Sequence, residues 1–499
     1  MLNHLKRLRC APLLLACALL TACGSAILNP VTGAQERSVM DERSEIAAGA
    51  KGHAEVLKEY AVLPDAKVQA YVNDLGQRLA KLSHRQQLQW HFTVLDSPEI
   101  NAFALPGGYV YVTRGIMAYL QTEAELAGVM GHEIGHVTAR HGAQRATRAQ
   151  DAGLGVLAAT VLGAVLESQG IGGAGRLASD VSQTVASGWV ASYGREQELQ
   201  ADRLGAEYLA RTAFDPRTMI RVIGALKSQE RFAADQARAQ GQTVSPQNSW
   251  LASHPSNDQR LQLITQLSSQ YQGSYQDEGR ERFLAISSGL TFGDSAEQGL
   301  VRGQHFYHPK LGFALTAPTT WTLQNNPDHL AIVNSERSVA LLLQTAPAKA
   351  GQTHDEVIRN LLRPTQGQAQ RKTINGMPAT YFAGKSRNAQ GAEQFLDVNL
   401  ITGPNRTIYL LRSSAKDPAV LQRNQAQLQQ AIESFRPLQD AERLAARPWQ
   451  LKTVLFPSGG FAELARRSSL PKAEQQLRLI NGFYEGGMPP VGSKVKVVD

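Results

Sequence analysis

Gly131-His-Glu-Ile-Gly-His136 sets two histidines four residues apart, with a glutamate directly after the first. On a helix His132 and His136 lie one turn apart on one face, so both imidazoles can reach a single ion. Glu133 projects beside them, where it can take a proton from a water held by that ion. The surrounding residues spell a helix. Thr122 and Glu125 have capping-box spacing, and Leu126, Val129, Met130, Ile134 and Val137 recur with helical period. Gly142 is the expected stop after His141. A glycine in a helix interior costs about 1 kcal/mol relative to alanine, so Gly131 and Gly135 point to the close approach of another backbone.

A catalytic zinc needs a third protein ligand and an open position. The candidate segment is Arg195-Glu-Gln-Glu-Leu-Gln-Ala-Asp-Arg-Leu-Gly205. Glu198, Asp202, Gly205 and Leu209 follow helical spacing and put two carboxylates on an otherwise small or apolar stripe. Burying unpaired carboxylates is expensive, whereas a metal and a ligand histidine would satisfy both. Glu198 is assigned to the metal and Asp202 to the outer nitrogen of a ligand histidine. Glu196 is the rival ligand and differs only by helix face.

Taken together, Thr122-Glu-Ala-Glu-Leu-Ala-Gly-Val-Met-Gly-His-Glu-Ile-Gly-His-Val-Thr-Ala-Arg-His141, Glu198-Leu-Gln-Ala-Asp202, Asn101-Ala-Phe-Ala-Leu-Pro-Gly-Gly108 and Ser253-His-Pro255 resemble the HtpX and CaaX-prenyl-protease family of zinc metallopeptidases. The resemblance implies a mainly helical gluzincin domain with a small sheet and one Zn2+ per chain. It also implies that the strand Asn101, Ala102, Phe103 and Ala104 pairs with an extended peptide substrate. His254 lies in the family's His-Pro segment. Its imidazole is expected either to ligate zinc and hold the enzyme idle or, with Arg260 as the alternative donor, to stabilise an oxyanion. Arg140 and His141 are read as favourable positive charge at the helix end. The chain lacks the membrane helices of HtpX proper and so resembles a lipid-anchored periplasmic branch.

Outside this core the 499 residues divide further. Hydrophobic residues make up 42% and charged residues 19%, which fits a folded chain of several domains. No apolar run of about 20 residues occurs in the body, so a polytopic membrane protein is excluded. Short strands near 313–317, 330–334, 338–345, 379–384, 394–402 and 406–412, with helices near 354–363 and 418–435, predict an α+β domain over 300–437. It has a faint similarity to PsbP folds. Residues 447–499 read as strand, helix, helix, strand and resemble a diverged LysM module, with Ser458-Gly-Gly-Phe461 where Gly-Asp-Thr is usual. The fold class is therefore α+β throughout, with the peptidase domain at 44–275.

Residues 1–22 carry Lys6, Arg7 and Arg9, then an apolar run from Ala11 to Leu20, and read as a signal peptide. Leu20-Thr-Ala-Cys23 resembles a lipobox, so Cys23 is the expected lipidation site and 23–43 a lipidated tether. Gly24 favours the outer membrane, facing the periplasm. All three cysteines lie in or at this leader, so the body has no thiol to staple it. Three of the cations behind the formal charge of +8 also lie there, and the remaining +5 gives no argument for nucleic acid. The expected partners are protein or peptide substrates, the membrane through the anchor, and peptidoglycan or envelope assembly machinery through the later modules. Two functions remain open: a zinc endopeptidase degrading unfolded or misassembled envelope proteins, and a non-enzymatic scaffold or chaperone.

Overall fold

The computed structural model describes residues 25–151, 193–239, 254, 258–271, 273, 275, 277–326, 328–387, 391–415 and 417–499. The leader, Cys23 and the apolar segment Ala152–Val165 lie outside these. Two compact units emerge. One comprises the described residues up to Leu290 together with Gln450–Asp499, and the other comprises Thr291–Trp449.

The first unit opens with a hairpin of β1 (Ser25–Leu28) and β2 (Gln35–Ser38), paired from Ser25↔Ser38 to Leu28↔Gln35. This corrects the tether expectation for that stretch. The Asn-Pro and Thr-Gly turn signals close a hairpin: Asn29 Oδ1 accepts from the N–H groups of Val31 and Thr32, and Gly33 takes the left-handed φ of 68°. Helices α1 (Glu42–Glu59) and α2 (Ala66–Ala80) follow, each capped by an aspartate, Asp41 and Asp65. A three-stranded sheet comes next, with β3 (His91–Leu95), β4 (Ala102–Leu105) and β5 (Tyr109–Thr113) in the order β3-β5-β4. The β4–β5 hairpin turns where expected, with Gly107 and Gly108 at φ of 80° and 99°. β3 pairs parallel to β5, which leaves β4 at the edge.

Helix α3 (Arg114–Tyr119) leads to α4 (Glu123–Thr138), which is buried along its whole length. Thr122 caps α4 by accepting from Glu125 N–H, but the Glu125 carboxylate accepts from Gln121 N–H rather than Thr122. The expected stop at Gly142 is corrected as well. α4 ends at Thr138, Arg140 adopts φ of 55°, and a second helical run begins at 141. Arg85 donates to the Val137 carbonyl, which also accepts from Arg140 N–H, and to Glu45, which accepts from the Arg140 side chain. The unit continues with α5 (Arg195–Arg211), α6 (Thr218–Ala239), α7 (Asp258–Gln270) and α8 (Arg280–Ser287).

Residues 450–499 contribute the expected strand–helix–helix–strand order as β6 (Trp449–Leu455), α9 (Gly460–Ala465), α10 (Ala473–Ile480) and β7 (Lys494–Val498). They pack into the first unit. Lys496, 1% exposed, donates from Nζ to the carbonyls of Ala118 at 2.5 Å and Leu120 at 2.7 Å, at the end of α3. Arg231 of α6 pairs with Glu485, and Tyr484 donates to Asp235.

The second unit has a seven-stranded antiparallel sheet ordered Thr322–Asn325, Leu330–Val333, Val339–Thr345, Ile408–Ala415, Glu393–Thr402, Met377–Arg387, Gln366–Ile374. Apolar clusters lie around Phe313, Leu341 and Tyr409 and around Phe382, Val398 and Leu410. The strands expected from the sequence are present, and Gln366–Ile374 is an edge strand the sequence reading did not mark.

Burial pushes the Lys496 ammonium down to about 7, only partly offset by Glu125. Between that value and the unfolded pKa of about 10.4 the unfolded chain binds more protons, so stability rises with pH across this window. Urea unfolding of the full chain from pH 7 to 10 should show this rise for the first unit, at most about 1.4 kcal/mol per pH unit from this group. Lys496→Met should flatten it, and identical slopes in both proteins would refute the assignment.

Candidate metal centre

The site forms where α4 and α5 touch backbone to backbone. A Cβ on Gly135 would lie 2.9 Å from Ala201 O and 3.1 Å from Ala201 Cα, and one on Gly131 would lie 3.4 Å from Gly205 O. Gly205 in turn faces the His132 N–H group. The glycines expected to admit another backbone do so, and the short Glu198 side chain thereby reaches the histidines of the neighbouring helix.

His132 Nε2 and His136 Nε2 lie 3.0 Å apart. Glu198 oxygens lie 3.5 Å from each of them. His254 Nδ1 lies 3.2 Å from His132 Nε2 and 3.0 Å from Glu198 Oε1. All four residues are buried and their donor atoms lie within 4.8 Å of one another. Tetrahedral zinc with bonds of about 2.0–2.2 Å needs donors about 3.3–3.6 Å apart, so this set fits the ion with little adjustment. Glu196 is exposed, whereas Glu198 is buried beside the histidines.

The outer contacts give the histidines different surroundings. His132 Nδ1 meets Asp202 Oδ1 at 2.9 Å. Burial alone would lower the pKa of His132, but the bonds and charges of Asp202 and Glu198 outweigh it and raise the imidazole to about 9. For Asp202, burial is outweighed by the Arg260 guanidinium and the pKa falls. Glu198 is likewise held well below the usual carboxylate range, because its histidine neighbours overcome the cost of burial. His136 moves the other way, driven well down by burial and by His132. Its Nδ1 lies 2.8 Å from His141 Nδ1, and burial lowers His141 to about 4.

Arg260 departs from the oxyanion expectation. It donates to both Asp202 oxygens at 2.6 and 2.7 Å and to the His254 carbonyl at 3.1 Å, and lies 2.9 Å from Glu198. Its guanidinium therefore serves as the buried counter-ion of two acids. Glu133 is fully buried in α4, with Oε1 3.5 Å from His254 Nε2. Asn101 precedes β4, and Ala102, Phe103 and Ala104 lie on it. No strand among the described residues pairs with its outer edge. Ser253, Pro255 and Asn257 lie outside the described residues.

Two neighbours escaped the sequence reading. Tyr193 stacks on His136 with ring centroids 3.8 Å apart, and Arg145 lies over the Tyr193 ring at 4.4 Å. His141 was read as an end charge, yet it is a neutral partner of His136. Its spacing of five from His136 was the available signal, since that offset reaches back across a helix break.

Residues 66–268 match Peptidase family M48. The beta-barrel assembly-enhancing protease of Yersinia pestis is 30% identical over 234 residues, 47% of this chain and 46% of that protein. The Escherichia coli (strain K12) protein of the same name is 30% identical over 210 residues, 42% of this chain and 43% of its own. The mitochondrial metalloendopeptidase OMA1 of Arabidopsis thaliana is 28% identical over 210 residues, 42% of this chain and 38% of its own. This chain thus spans less than half the length of these relatives. Among solved structures, cyanobacterial PsbP from Synechocystis sp. PCC 6803 covers 29% of this chain and 98% of its own at 13% identity, with a TM-score of 0.20.

Gly135→Ala should destabilise the protein by about 1–3 kcal/mol despite the better helix propensity of alanine, because backbone atoms of Ala201 cannot turn aside. Gly131→Ala, with more room, should be close to neutral. Chemical denaturation of the two variants tests the contact, and equal stabilities would refute it.

Proposed function

We propose that this protein is a zinc-dependent metalloendopeptidase of the bacterial cell envelope that hydrolyses peptide bonds in unfolded or misassembled proteins. The observation that carries the reading is the buried convergence of His132, His136 and Glu198 donor atoms with Glu133 on the same helix. The matched family and the protease names of the relatives support it. When bound, zinc supplies a Lewis acid that polarises water and the scissile carbonyl. In this reading Glu133 accepts the proton of the attacking water and passes it to the leaving amine. Asp202 keeps the His132 proton on Nδ1, which leaves Nε2 free to ligate, and Arg260 balances the charge of Asp202. The open edge of β4 offers main-chain donors and acceptors to an extended peptide.

His254 is assigned the role of lock. Its Nδ1 sits among the ligand atoms, where it would hold a bound ion as a fourth donor, and Arg260 grips its carbonyl. Substrate would have to displace it. The basic and apolar leader and Leu20-Thr-Ala-Cys23 support lipid anchoring at Cys23, with the outer membrane favoured. The strand–helix–helix–strand module is assigned to docking on peptidoglycan or envelope assembly machinery.

Purified protein incubated with unfolded casein is the direct test. Wild type should cleave it, Glu133→Gln should bind zinc but not cleave, and His254→Ala should cleave faster than wild type. Equal cleavage by wild type and Glu133→Gln would overturn the assigned mechanism, and no cleavage by wild type would favour the scaffold. A fall of about 100-fold in His254→Ala would make that residue an oxyanion donor instead. Separately, Cys23→Ser should leave the membrane fraction without loss of stability, and retention there would refute the anchor.

A further inference from the structure

Two ring nitrogens 2.8 Å apart, Nδ1 of His136 and Nδ1 of His141, must divide the roles of donor and acceptor. The division is settled some distance away. His141 Nε2 lies 3.1 Å from Gln200 Oε1, and the same oxygen lies 3.0 Å from Asn29 Nδ2. Asn29 itself cannot turn over. Its Oδ1 accepts from the backbone N–H of Val31 at 2.9 Å and of Thr32 at 3.3 Å, while its Nδ2 also donates to Glu36 Oε1 at 2.8 Å. The opposite orientation would set an NH2 group against two N–H donors and an oxygen against a carboxylate.

Every other proton then follows. Because Asn29 donates, Gln200 presents its oxygen. Because that oxygen only accepts, His141 carries its proton on Nε2, and His141 Nδ1 becomes an acceptor. His136 therefore carries its proton on Nδ1 and turns an unprotonated Nε2 toward His132 Nε2, 3.0 Å away. The reverse polarity would protonate His136 on Nε2 and remove it as a ligand.

We propose that Asn29, Gln200 and His141 are positioning residues, a neutral hydrogen-bond relay from the β1–β2 hairpin that fixes the tautomer and orientation of His136 for metal binding. The inference rests on the metal reading above and extends the centre to an element about a hundred residues before the histidine motif. All three residues are buried, so water does not compete for these bonds. A neutral relay also suits the charge already present. Glu133, Glu198 and Asp202 put three carboxylates in this site, and an imidazole orients His136 without adding a fourth.

Two measurements on the full chain test it. Long-range proton–nitrogen spectra of zinc-free wild type, labelled in histidine, should report His141 protonated on Nε2. A His141 protonated on Nδ1 would overturn the relay whatever the variants do. Zinc titration against a chromophoric chelator then compares wild type with Asn29→Asp, His141→Phe and His141→Gln. Asn29→Asp keeps the shape but replaces the donor by an acceptor, so its zinc affinity should fall about 10–100-fold, and His141→Phe should do the same. His141→Gln, whose carbonyl can accept from His136, should recover most of the loss. Melting of the zinc-free proteins identifies any variant that fails to fold, and the spectra decide in that case. Folded Asn29→Asp and His141→Phe with affinities within twofold of wild type would overturn the relay. A wild type that binds no zinc would instead overturn the metal reading.

Discussion

The separation between helices α4 and α5 governs the chemistry available to this chain. A glutamate has a short reach, and Glu198 meets two imidazoles on the neighbouring helix only because Gly131, Gly135, Ala201 and Gly205 let the backbones touch. Larger residues along this seam would move the carboxylate away and leave two histidines without an anionic partner. The small residues thus set a ligand distance although none of them is a ligand. Their cost in helix propensity is offset by the packing of α4, which is buried from end to end.

Contact at this distance creates an electrostatic problem that the sequence solves in layers. Three carboxylates and four histidines are enclosed away from water, where an unbalanced charge costs several kcal/mol. Arg260 spans Asp202 and Glu198 and supplies the fixed positive charge. The histidines receive opposite treatment: against the cost of burial His132 faces a carboxylate and gains basicity, while burial, with His132 beside it, drives His136 down. Two ligands that read as equivalent in the motif are therefore chemically distinct.

Much of this was legible in the sequence because it was written locally. The motif helix, the glycine contact, the ligand glutamate and the β4–β5 turn each rest on spacing within about twenty residues. What escaped depended on partners far along the chain. Asn29 and Pro30 read as tether because a polar turn looks the same whether or not a helix lies beside it. His141 read as an end charge because only the break at Arg140 turns it back toward His136. Gln366–Ile374 escaped for the opposite reason: as an edge strand exposed on nearly all sides, it carries no alternation to read. Arg260 was placed near the chemistry, but its pairing with Asp202 and Glu198 escaped, since sequence cannot show which acids a buried guanidinium meets.

Lys496 gives the fold a temporal order. The first unit is discontinuous in sequence, with residues 291–449 lying between its two parts. Because β7 binds the carbonyls at the end of α3, just ahead of the motif helix, this contact can form only after the intervening residues have been made. A chain emerging in sequence holds its metal ligands in an unfinished frame until Lys496 is made, with long-range contacts still to form. For a protein that would cut other polypeptides, such a delay separates synthesis from competence.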